Sequence, residues 1–179
     1  MKRYICDGIV KGATHVRNQM PCQDNKRIVE ISDKIMVNIM KKVRQILNID
    51  SLHKNNIMGE NVTVAVLDTG IYNHPDFGER IIKYKDFVNG KTAIYDDEGH
   101  GTHVTGILAG DGKMSNGFFK GIAPKSDIVS LKVLDKRGIG KEDNVISGIW
   151  WIIDNGKKYN IKVVNISFGT FNKEGNNKK

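Results

Sequence analysis

Between residues 62 and 168 the chain switches repeatedly between two hydrophobic patterns. VTVAVL (62–67) is an unbroken apolar run rich in β-branched side chains, as expected of a strand buried on both faces of a parallel sheet. RIIKYKDFV (80–88) interleaves charge with apolar residues and predicts a second strand nearer an edge. The small and apolar residues from about 101 to 109 suit a closely packed helix. DIVSLKVL (127–134), set off by the breaker pair Ala123-Pro124, predicts another buried strand. KEDNVISGIWWIIDNGKK (141–158) places Val145, Ile149, Ile152 and Ile153 on one helical face, with lysines near its carboxyl end where the helix dipole favours them. IKVVNISF (161–168) is strand-like again. Strand, helix, strand, helix, strand predicts an α/β fold: a doubly wound parallel sheet with helices on both faces. Upstream, residues 32–57 show helical spacing at Ile35, Ile39, Val43 and Ile46 and are expected to cover the sheet or lead into it.

Length and composition narrow the picture. A chain of 179 residues with 39% hydrophobic and 27% charged residues has the make-up of a globular protein with one substantial core. The apolar runs are short and interrupted, so no membrane span is expected. The amino terminus begins with basic residues but lacks the apolar core and cleavage site of a secretory signal, which makes the cytoplasm the default location. Two cysteines, Cys6 and Cys22, match no zinc spacing. The net charge of +8 is spread over scattered lysines without interleaved aromatic residues, so it reads as a solvated surface, with no nucleic-acid partner.

Candidate chemistry concentrates in two stretches. In open α/β sheets, ligands bind at the carboxyl ends of the strands. Asp68 follows VTVAVL directly and is succeeded by Thr69-Gly70, where the chain can turn sharply. Such a carboxylate suits an orienting role, although one Asp at a strand end also serves as a turn former or helix cap. Asp-Thr-Gly is in addition the signature of aspartic proteases, a remote alternative here: that chemistry needs a mostly β fold and a second copy of the motif, and the helical segments count against it. The second stretch is DDEGHGTHVTGILAG (96–110). As a metal site, His100 and His103 lack further good ligands and the spacing of H-E-x-x-H. His100, flanked by Gly99 and Gly101, has room to approach both a carboxylate and a substrate and reads as a base. His103 then points into the packing and is expected to be hydrogen-bonded and neutral.

These stretches carry a family resemblance. VTVAVLDTGIYNHPDF and DDEGHGTHVTGILAG resemble the Asp and His motifs of the subtilisin-like serine proteases, the subtilases (peptidase S8), in that family's order. GIAPKSDIVSLKVLDKRGIG and VVNISFG resemble two further blocks of the family in the same succession. The likeness covers about residues 43–170 and is greatest to intracellular bacterial members. It implies a serine endopeptidase in which Asp68 holds the tautomer of His100 and His100 takes the proton of a serine hydroxyl. It further implies a substrate cleft with Gly138, Ile139 and Gly140 as one wall and Ser167, Phe168 and Gly169 as the other, between which a polypeptide would lie as an added strand.

The resemblance is also incomplete. The serines, at positions 32, 51, 115, 126, 130, 147 and 167, include none in a Gly-Thr-Ser-Met-Ala context, and the oxyanion-hole Asn expected after the SFG block has no counterpart. The expectation is the amino-terminal portion of a catalytic domain that does not hydrolyse peptides alone, with exposed apolar surface and poor solubility. The alternative is a non-catalytic peptide-binding or relic fragment. Many subtilases bind calcium through a loop after the His helix and an acidic residue matching Asp76, but GDGKMSNGFFKG (110–121) departs from that form. No cofactor is expected, and calcium is left open. GATHVRNQMPCQDN (12–25) is weakly similar to the opening of PP2C-like phosphatases, without that family's remaining metal-binding carboxylates. Residues 1–31 therefore read as a leader or fused segment, and 32–179 as an incomplete subtilisin-like domain. Two sequons, at Asn61 and Asn165, carry no meaning without secretion.

Overall fold

The computed structural model describes residues 42–169. The segment 1–31 and the positions Ile35 and Ile39 lie outside the described residues. Helix α1 (Ile49–Lys54) precedes strand β1 (Thr63–Asp68), strand β2 (Ile81–Asp86), helix α2 (His100–Ala109), a short 3-10 turn (Lys113–Ser115), strand β3 (Asp127–Lys132), helix α3 (Glu142–Asn155) and strand β4 (Ile161–Ile166). The four strands form one sheet in the order β2-β3-β1-β4, and every neighbouring pair is parallel. Each element expected between 62 and 168 is present, and β2 lies at an edge.

The unbroken apolar run of β1 is explained by its central place: all six of its residues are buried. Because strand side chains alternate, Val64 and Val66 face one layer and Ala65 and Leu67 the other. On the first face they join Ile71, Phe77, Ala109 and Ile128, covered by Val104 and Leu108 of α2. On the second they join Val129, Leu131, Val133 and Leu134, covered by Val145, Trp151 and Ile152 of α3. Helices therefore cover both faces, as the alternation of patterns predicts.

Two details differ from the expected packing. The inward stripe of α3 runs through Val145, Gly148 and Ile152, whereas Ile149 and Ile153 are 39% and 62% exposed. The reason lies at Gly148: its position is buried, and a Cβ there would come within 3.0 Å of Val133 and 3.3 Å of Leu67, so the helix approaches the sheet at its small residue and Ile149 and Ile153 fall outward. Upstream, residues 42–46 are helical, but Ile46 is 81% exposed, and among the described residues from 42 to 57 only Ile49 is buried. Of that stripe the described members, Val43 and Ile46, are helical but exposed and do not cover the sheet.

The topology also fixes where a site forms. The connection from β2 through α2 to β3 covers one face, and the connection from β3 through α3 to β4 covers the other, with β3 and β4 flanking β1. Chain direction thus diverges around the carboxyl end of β1, the position at which open α/β sheets form their crevices. Asp68 is the last residue of that strand.

Candidate functional site

The Asp68 carboxylate is fixed before any partner approaches it. Its main-chain carbonyl accepts hydrogen bonds from Val133 N (2.9 Å) and Leu134 N (3.2 Å), and its Oδ1 accepts from Thr69 N at 2.7 Å. The residue is 1% exposed. Burial pushes its carboxyl above the usual value, while the His100 ring and the Thr69 N–H pull the other way.

His100 opens α2, and the local sequence explains why it sits at the rim. Gly99, the N-cap, has φ of +105°, a conformation that lets the chain reverse into the helix, and offers no capping side chain. The unpaired N–H groups of the first turn are served from elsewhere: His100 N donates to Glu98 Oε2 (2.8 Å), Gly101 N to Thr69 Oγ1 (2.9 Å) and Thr102 N to Asp96 Oδ2 (2.9 Å). Gly101 permits the contact with β1, because a Cβ on it would lie 2.2 Å from Gly70 O and 3.0 Å from Asp68 Cβ.

The outcome is a paired carboxylate and imidazole. His100 Nδ1 lies 2.8 Å from Asp68 Oδ1 and 3.0 Å from Oδ2. An ionised carboxylate only accepts, so Nδ1 carries the proton and Nε2 of the neutral ring is left as an acceptor. The His100 side chain is 48% exposed, against 1% for Asp68. A buried orienting acid behind a half-exposed base is an arrangement that can withdraw a proton from a group arriving from solvent.

The other expected residues divide. Gly138, Ile139 and Gly140 form a turn after β3, closed by a bridge between Leu134 and Gly140 and by an Asp135 N to Ile139 O bond of 2.9 Å. Ser167, Phe168 and Gly169 leave the carboxyl end of β4. In a parallel sheet both segments emerge on the rim that carries Asp68, on opposite sides of β1. Phe168 packs half-buried against the core, and Ser167 Oγ accepts from Asn165 Nδ2 at 2.8 Å. His103 differs in part from expectation: burial, with His100 nearby, lowers its pKa and favours the neutral ring, but that ring makes no hydrogen bond among the described residues.

Asp76, the acidic residue singled out for calcium, is held by hydrogen bonds of the chain itself. Its Oδ1 accepts from Met114 N at 2.7 Å, and the Arg80 guanidinium donates to the carbonyls of Asp76 (2.6 Å), Ala109 (2.7 Å) and Ser126 (3.0 Å). Those carbonyls are already served by a cation of the chain's own. No group of three or more metal-ligating side chains occurs among the described residues.

Sequence reasoning passed over three residues at the site. Lys132, fully buried, donates from Nζ to Thr69 O (2.5 Å), Leu134 O (2.9 Å) and Asp97 Oδ1 (2.7 Å). Asp96 and Thr69 are joined by a 2.9 Å hydrogen bond. A lysine inside an apolar strand, and an Asp just ahead of a helix, are signals that were there to be read.

The chain is similar to known proteins. The model of the Subtilase family (peptidase S8) matches residues 59–179. Over 97 residues the chain is 50% identical to the serine protease AprX of Bacillus subtilis (strain 168), covering 54% of this chain and 22% of that protein. It is 39% identical over 120 residues to the intracellular serine protease of Paenibacillus polymyxa, covering 64% of this chain and 35% of that one. A crystal structure of a cold-adapted subtilisin-like serine proteinase matches 55% of this chain and 34% of its own with 38% identity and a TM-score of 0.49. The chain thus spans about a fifth to a third of the length of these relatives.

Proposed function

The chain belongs to the subtilase family, and on that premise we propose that it carries the carboxylate and imidazole of a serine endopeptidase, Asp68 and His100, without the nucleophile. The observation that carries this reading is the pair of contacts, 2.8 and 3.0 Å, from His100 Nδ1 to the two oxygens of a buried Asp68. In the reaction His100 Nε2 accepts the serine proton as the hydroxyl attacks the peptide carbonyl, then returns it to the leaving amine. Asp68 holds the ring in the required tautomer and offsets the positive charge that the ring acquires. A peptide substrate would lie extended between Gly138–Gly140 and Ser167–Gly169, its backbone bonding to both segments.

Among the described residues no serine hydroxyl is hydrogen-bonded to His100. The 179-residue chain alone is therefore proposed to be inactive, the hydroxyl coming from a segment of the Gly-Thr-Ser-Met-Ala type. A cytoplasmic setting belongs to the same proposal, supported by the likeness to a protease named intracellular.

A fluorophosphonate probe tests the reading. The 179-residue chain should take no label, and labelling of one of its own serines would overturn the proposal. Appending the Gly-Thr-Ser-Met-Ala-containing part of a subtilase to the chain should restore labelling. In that longer chain His100→Ala should abolish it, and Asp68→Asn should slow peptide hydrolysis by ~10⁴-fold. An extended chain that hydrolyses peptides normally without His100 would refute the assignment.

A further inference from the structure

Asp96 receives more hydrogen bonds than the site's own carboxylate. Its Oδ1 accepts from Thr69 Oγ1 (2.9 Å), Gly99 N (2.8 Å) and Glu98 N (3.2 Å), and its Oδ2 from Thr102 N (2.9 Å) and Thr102 Oγ1 (2.5 Å). Two of these donors flank His100 in the turn that starts α2, and Thr69 directly follows Asp68. Position 96 is also bridged in antiparallel fashion to Gly70, so the turn before the helix and the turn after β1 are joined through both backbone and side chain.

The direction of these bonds follows from chemistry. An ionised carboxylate accepts only, so the single Thr69 hydroxyl proton must point to Asp96, which leaves a lone pair on Thr69 Oγ1 for Gly101 N at 2.9 Å. The Thr69 amide meanwhile donates to Asp68 Oδ1 at 2.7 Å. One connected path therefore runs from Asp96 through Thr69 to the Asp68 carboxylate on one side and to the residue after His100 on the other. Hydrogen bonds from Thr102, Gly99 and Thr69 hold the Asp96 carboxyl below its usual range against the opposing effect of burial, so it stays ionised near neutral pH.

We propose that Asp96 is a positioning residue which, through Thr69, fixes the His100 ring against Asp68. This rests on the reading of Asp68 and His100 as the working pair. Asp96 makes no hydrogen bond to the His100 ring. It sets the distance between the two elements that bring acid and base together. An asparagine at this position keeps the shape, but its N–H₂ cannot accept, so either the Gly99 and Glu98 N–H groups or the Thr102 N–H loses its acceptor and the Thr69 hydroxyl no longer faces a charged oxygen pair.

Histidine-selective ¹⁵N NMR of the full 179-residue chain tests this without requiring proteolysis. The native chain should show the His100 ring as the Nδ1–H tautomer, with an Nδ1 proton protected from exchange by Asp68. In Asp96→Asn and in Thr69→Val the protected proton should disappear and the ring nitrogens should report a mixture of tautomers, while the backbone amide spectrum stays folded. Thr69→Ser, which keeps the hydroxyl, should restore the native signature. Retention of the protected proton in folded D96N and T69V would overturn the proposal. Unfolding of both variants would also overturn it, because the network would then hold the fold and not the ring. Absence of the signature in the native chain would instead sink the pairing of Asp68 with His100.

Discussion

Asp68 and Lys132 are register partners on adjacent parallel strands, yet the buried ammonium of Lys132 bonds to Thr69 O, Leu134 O and Asp97, not to the Asp68 carboxylate. A salt bridge between the two would have satisfied Asp68 and held its carboxyl low. With Lys132 engaged elsewhere, His100 is the basic group that faces Asp68, and burial leaves the carboxyl raised above its ordinary 3.8.

The consequence for stability has a definite sign. A carboxyl whose folded pKa exceeds its unfolded one favours folding below the unfolded value, and that contribution is lost as pH rises through the folded value. Asp68→Asn, neutral at every pH, should therefore be more stable than the native chain at neutral pH, with the advantage shrinking to nothing below about pH 3.8. Urea denaturation of both chains across this range checks it. A native chain that gains stability over D68N as pH rises would contradict the assigned shift.

The outer face of α3 carries Ile146, Ile149, Trp150 and Ile153 at one-turn spacing, with Trp150 and Ile153 each about 60% exposed, and β4 adds exposed Val163, Val164 and Ile166. Exposed apolar side chains in this number favour association. Sedimentation velocity over a concentration series should show reversible or irreversible self-association of the 179-residue chain, and the double substitution Trp150→Lys and Ile153→Lys should shift it toward monomer. Native chain that stays monomeric at every concentration would argue that this face is not sticky.

Much of this was legible from pattern because the strands are buried on both faces. β1 left an unbroken apolar run of the kind a central parallel strand requires, and the Asp and His motifs announce themselves by residue type. Less visible was anything decided by two distant segments meeting. The inward face of α3 turned on Gly148 fitting against Leu67 and Val133, which helical periodicity alone ranks below Ile149 and Ile153. Likewise Asp96 looked like one acid among several in DDEG. Its role depends on Thr69, 27 positions earlier, which becomes a neighbour only once β1 and α2 are packed.

Arg80 ties three otherwise separate backbone carbonyls, those of Asp76, Ala109 and Ser126. Removing the guanidinium strands these acceptors in a half-buried place, at a cost of ~1 kcal/mol or more for each. Arg80→Ala should accordingly lose about 3 kcal/mol in chemical denaturation, with Arg80→Lys intermediate because an ammonium cannot span all three in the same fork. A loss in R80A below about 0.5 kcal/mol would mean that water replaces the guanidinium without penalty.

Two glycines of the same helix should respond to alanine with opposite signs. At Gly101 an added Cβ would sit 2.2 Å from Gly70 O, a backbone atom that can retreat only by moving the turn after β1. Overpacking of this kind costs about 1–3 kcal/mol, and here it also pushes the His100 turn away from Asp68. At Gly106, within α2, an added Cβ meets nothing within 4 Å. There alanine removes the entropic cost of glycine and should stabilise by ~0.5–1 kcal/mol. Denaturation midpoints of Gly101→Ala and Gly106→Ala, measured side by side, separate close approach from helix propensity. If both variants moved in the same direction, the contact between α2 and the Asp68 turn would not be the tight one described.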